Sequence, residues 1–144
     1  LKNLDKSGKV KMLKLMKKLF FSLWCFPQEL IGSILCELLI CDFMCEYKQA
    51  VIYETDYFWA RGVSCGRIII VKSGCSQDRT LIKHEYGHTI QSFYLGWLYL
   101  FIVGIPSSLN VIACRIFPKL RSGYYNRFPE NWADRLGGVK KRGG

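Results

Sequence analysis

Residues 93–117 run for 25 positions without one acidic side chain, and Arg115 is the only base, near the end. A stretch this apolar must be buried in lipid or in protein. As one straight helix it would reach about 37 Å, at roughly 1.5 Å per residue. A second apolar block, 19–45, is interrupted at Pro27-Gln28-Glu29 and again at Glu37 and Asp42. Charge sharpens the constraint. Residues 1–18 carry seven lysines against one aspartate, and 119–144 carry seven basic groups against Glu130 and Asp134. The hundred residues between them hold seven basic and eight acidic groups, so the net charge of +10 sits at the two ends. That is the pattern of a membrane protein with both ends in the cytosol. A chain that is half hydrophobic is not disordered. It also lacks the interleaved basic and aromatic residues of a nucleic-acid reader, so nucleic acid is set aside as a partner.

The beginning, KVKMLKLMKK followed by LFFSLWCF, has the charged and apolar regions of a signal peptide. No small-residue cleavage site follows, so the expectation is a retained membrane segment. Met12 makes a more natural start for such a protein than Leu1, which leaves 1–11 as an extension without a structural role. The seven cysteines include no C-x-x-C pair. They read as free thiols rather than a disulfide scaffold or a cysteine zinc site, with Cys65–Cys75 across a hairpin the lesser alternative.

In the first block Glu29, Ser33 and Glu37 recur every four residues, giving the helix after Pro27 one polar stripe that should face protein or water. Glu29 and Glu37 read as lining a wet helix face. Between the blocks, AVIYET (50–55) and RIIIV (67–71) are β-branched runs flanked by Gly62, Gly66 and Gly74. They predict short strands and a β-hairpin. Ser76 or Asp78 then caps a helix running from about 78 toward Gly96. After the second block, Pro129 opens a short helix to about 136, ended by Gly137-Gly138.

On the first of those two helices stands His84-Glu85-Tyr86-Gly87-His88, the pattern H-E-x-x-H, and it uses both histidines of the chain. Spacing i to i+4 puts the imidazoles on one helix face, where they can bind one zinc ion. Glu85 is then placed to take a proton from metal-activated water. Glu130-Asn-Trp-Ala-Asp134 repeats the i, i+4 spacing on the last helix. By the residues alone these two acids also fit the first turn of a helix, where negative charge is favourable. Together the two motifs resemble the gluzincin metallopeptidases. The resemblance implies His84, His88 and Glu130 as zinc ligands, Glu85 as the base, and Asp134 as the carboxylate supporting a ligand histidine. HEYGHTIQS, the apolar stretch ending in IPS, and ENWADRLGGV are also similar to a group of small prokaryotic membrane proteins. This second resemblance covers roughly 80–139, and PQELIG and GVSCGR extend it less specifically.

One constraint follows for 93–117. A straight span would separate His88 from Glu130 by a hydrocarbon core about 30 Å thick. The expectation is therefore a hairpin folded at Gly104–Ser108. The Trp and Tyr at 94–99 and 124–125 read as interfacial aromatics, with oxyanion stabilisation by Tyr124 or Tyr125 as the alternative role. The fold class expected is an α-rich α+β integral membrane protein. It has a basic segment, 1–18, before a single membrane-embedded domain, 19–144. The expected function is zinc-dependent hydrolysis of peptide bonds at the membrane face, with a peptide or protein substrate, lipid as a partner, and an edge strand near 67–71 aligning extended peptide. The alternatives are a non-catalytic membrane protein with a structural metal site, a site-2-protease-like intramembrane protease, and a basic membrane-surface adaptor.

Overall fold

In the computed structural model, which describes residues 6–140, the chain opens with α1 (Lys6–Trp24) and α2 (Phe26–Leu38), joined at an 85° bend. Pro27 lies in the first turn of α2, where its missing N–H leaves no helical bond unmade. Four strands follow: β1 (Asp42–Tyr47), β2 (Ala50–Thr55), β3 (Gly62–Cys65) and β4 (Ile68–Lys72). They form one sheet in the order β1-β2-β4-β3, antiparallel at both ends and parallel between β2 and β4.

Next comes α3 (Arg79–Leu95), capped by Asp78, whose carboxylate accepts from the Thr80 and Leu81 amides. It stops at Gly96, whose φ of 53° suits glycine, and a Cβ there would strike the Trp24 indole. A 3-10 turn (Gly96–Leu98) and a π turn (Leu100–Gly104) lead into α4 (Ile105–Ile116), then a 3-10 segment (Pro118–Asn126) and α5 (Glu130–Gly137). Gly138 ends α5 in the left-handed conformation.

Strand alternation assigns the two faces of the sheet. Ala50, Ile52, Ile69 and Val71 pack against Leu81, Ile82 and Tyr86 of α3. On the opposite face Gly32 of α2 fits so closely over Cys65 and Ile68 that a Cβ would lie 2.9 Å from the Cys65 Cβ. The layers are thus α2, sheet, α3 and α5. The last two touch backbone to backbone: a Cβ on Gly87 would collide with the Ala133 carbonyl, and one on Gly137 with the Lys83 carbonyl. Two glycines, one from each helix, bring α5 within side-chain reach of the H-E-x-x-H motif.

Several expectations are corrected. No single helix among the described residues is long and apolar enough to cross a membrane, so the expected integral membrane fold, with two broken apolar helical segments in 19–45 and 93–117, does not stand. The breaks ahead of Pro27 and at Gly96 divide the blocks into helices of 19, 13 and 12 residues, and the longest is lysine-rich. Spanning takes about 20 predominantly apolar residues. The break expected at Gly104–Ser108 falls at Gly96 instead. Pro106 sits in the first turn of α4, and the π turn before it absorbs the irregularity. The expected hairpin is a four-stranded mixed sheet, and 67–71 is interior while β1 and β3 form the edges. Glu29 is not on a wet face: its carboxylate accepts from Arg67 at 2.7 Å, and Arg67 also donates to Ser22. The cysteines are all free. Of the basic ends, residues 1–5 and 141–144 lie outside the described residues, and 6–11 form the start of α1 rather than an extension apart from it.

Candidate metal centre

His84 and His88 are one helical turn apart on α3, their ring centroids 4.9 Å from each other. Both Nε2 atoms point at the same oxygen of Glu130: His84 at 3.1 Å and His88 at 3.3 Å from Oε2. A tetrahedral ion with bonds of about 2.0 Å needs its donors about 3.3 Å apart. The three residues therefore present one ligand atom each with the spacing a metal ion requires, all within 4.8 Å of one another and all buried. This group can hold a metal ion.

The opposite nitrogen of each imidazole is also committed. His84 Nδ1 lies 2.7 Å from Asp134 Oδ1, and His88 Nδ1 lies 2.7 Å from Gln91 Oε1. Gln91 in turn donates through Nε2 to the Pro129 carbonyl at 3.1 Å, which fixes its oxygen toward the histidine. With acceptors at both Nδ1 positions, each ring can keep a proton there when its Nε2 gives up its own proton in exchange for a metal. The other Glu130 oxygen accepts from Ser107 of α4 at 2.5 Å. Each ligand is thus aimed by a partner.

The electrostatics favour a cation at this point. Burial works against charge on His84, but the Glu130 hydrogen bond, the charge of Glu85 and the Asp134 hydrogen bond outweigh it and raise the imidazole to about 9. Burial likewise opposes charge on Glu130, yet its hydrogen bonds with the two histidines hold the carboxyl well below the usual range. Without metal, a proton on His84 stands where the ion's charge would be. Metal and proton compete for the same lone pair.

Glu85 is buried beside this cluster on α3, and Gly62 at the start of edge strand β3 abuts it: a Cβ at Gly62 would fall 2.5 Å from Glu85 Oε1. The five residues named from the motifs therefore converge. Asp134 stands at the Nδ1 side of His84, not in a ligand position. Tyr125 packs its ring edge-on to His84 at 5.2 Å and to Tyr124 at 4.8 Å. Glu37 is exposed and, like Glu29, takes no part. Gln91 and Ser107 were not singled out by sequence. Gln91 follows His88 at i+3 on the same helix face, which is the one signal that points to it; Ser107 carries none. No family model, curated protein or solved structure matches this chain.

Proposed function

We propose that this protein is a zinc-dependent metallopeptidase of the gluzincin type. The observation that carries the reading is the convergence of two imidazole Nε2 atoms and one carboxylate, with Glu85 alongside. Three nitrogen and oxygen ligands suit zinc, and three protein ligands leave a fourth position for water or substrate. Bound there, zinc supplies Lewis acidity toward water and the scissile carbonyl. His84, His88 and Glu130 hold and orient the ion, while Asp134, Gln91 and Ser107 hold the ligands. Glu85 takes the proton from the attacking water and delivers it to the leaving nitrogen. β3 is an edge strand whose first residue touches Glu85, so an extended peptide pairing along it would bring its carbonyl to the base.

Burial favours one rival. Glu130 is 0% and His84 only 3% exposed, as in a site that staples helices rather than one that turns over substrate. Glu85→Gln separates the two readings, because an amide cannot accept the proton while every ligand stays in place. Peptidase activity should disappear with zinc content unchanged. Residual hydrolysis in that variant, or zinc retained after His88→Ala, would sink the proposal.

A further inference from the structure

The outer surface of α1 is unlike that of a helix docked on a core. Met12, Leu15, Met16, Leu19, Phe20 and Leu23 are all exposed, Leu23 by 70%. At about 100° per residue these six occupy one half of the helix and Lys11, Lys14, Lys17 and Lys18 the other. The apolar surface continues beyond the helix. Trp24 donates its indole N–H to the Phe93 carbonyl and Trp97 donates to the Leu23 carbonyl, which holds both exposed rings beside α1. Phe20, Leu23, Leu95 and Leu98 complete an apolar cleft with these two tryptophans. On the cationic side, a cleft of about 1000 Å³ between α1 and the β1–β2 turn is lined by Lys14, Lys17, Lys18, Lys48 and Arg67, with Glu46 as its acidic group. Monomers in water rarely leave so continuous an apolar surface open.

We propose that α1 and the Trp24–Trp97 surface lie in the interfacial layer of an anionic phospholipid bilayer. The apolar half of α1 sits among the acyl chains, and its lysines are level with the phosphates. A half-apolar, half-lysine helix with tryptophans beside it matches the chemistry of that layer, apolar on one side and negatively charged on the other. This is attachment to one leaflet, not a span. A second copy is the weaker occupant, because burying the apolar half against another α1 would leave the lysine row on the far side without an anionic partner. The proposal does not rest on the metal site.

The test uses the full chain and extruded vesicles of phosphatidylcholine alone or mixed with phosphatidylglycerol, read by flotation against lipid concentration. The mixed vesicles should bind the protein and the neutral ones much less. Replacing Lys14, Lys17 and Lys18 together by Gln should weaken binding on the order of 100-fold. Leu19→Ser with Phe20→Ser should weaken it at least about tenfold. Brominated phosphatidylcholine in the mixed vesicles should quench the tryptophan emission, and Trp24→Phe with Trp97→Phe should remove most of that quenching. Circular dichroism of the lysine and Leu19/Phe20 variants should match wild type, since those side chains face outward. Four outcomes would each overturn the proposal: no binding, equal binding to neutral vesicles, full affinity in the lysine variant, or a lipid-free dimer abolished by the Leu19/Phe20 change.

Discussion

At the scale of single residues, Gln91 tests whether the imidazoles are pre-aimed. It is fully buried, accepts from His88 and donates to Pro129, so it joins a candidate ligand on α3 to the chain just before Glu130. Gln91→Leu removes the acceptor and frees the His88 tautomer. Zinc affinity should fall about 10–100-fold, the usual cost of losing such a partner. Gln91→Glu keeps an oxygen at Nδ1 and should retain more of the affinity than Leu does. Competition against a chromogenic chelator reads both, and equal affinities for wild type and Gln91→Leu would show that the ring needs no holder. The contrast with the ligands explains what the sequence displayed. His84, Glu85 and His88 announce themselves because helical geometry allows few spacings for two imidazoles on one ion. Gln91 and Ser107 act through single hydrogen bonds, and residue types this common leave no spacing to recognise.

At the scale of elements, the site depends on α3 and α5 lying in backbone contact. Gly87→Ala drives a methyl group into the Ala133 carbonyl and must part the helices. Overpacking of this kind costs about 1–3 kcal/mol. The variant should lose both that stability and its capacity to bind zinc, as seen in urea unfolding and in elemental analysis after zinc loading. The Asp78 cap is a second test. The Leu81 amide holds the Asp78 carboxyl below its ordinary 3.8; burial opposes this, and Arg61 and the Thr80 amide assist. A depressed carboxyl stabilises the fold fully above its unfolded value and loses that contribution as pH falls through the lower folded value. Asp78→Ala should therefore cost about 1 kcal/mol at pH 7, and the gap from wild type should narrow as pH is taken below 3.8. A gap that stays constant would assign the effect to something other than the ionised cap. The elements that were legible share this local character. The extent of β2, the cap of α3 and the glycine stop of α5 are written in neighbouring residues. β1 was hidden because Asp42–Tyr47 reads as the tail of an apolar block, and it forms through pairing with β2. The end of α3 at Gly96 was legible as a glycine, but the close fit of the Trp24 indole over it was not, because Trp24 is 72 positions away.

At the scale of the whole molecule, a metal in this site would do more than chemistry. Its ligands come from two helices of distant sequence, α3 and α5, and Ser107 ties in α4. An ion that binds the folded chain but not the unfolded one stabilises the fold by mass action, by about 2.7 kcal/mol at 100 times its dissociation constant. For a chain of this length that corresponds to a rise in melting temperature of roughly 5–10 °C. The rise should vanish in His88→Ala and persist in Glu85→Gln, because Glu85 is not a ligand. A chelator should return wild type to the metal-free midpoint, and added zinc should restore it. The metal-free fold should survive at lower temperature, since protonated His84 between Glu130 and Asp134 keeps the buried charges paired. That survival separates the two readings of the site. If chelation leaves the protein folded and abolishes hydrolysis, the ion serves catalysis; if chelation unfolds it outright at ordinary temperature, the ion is a staple and the peptidase reading loses its ground.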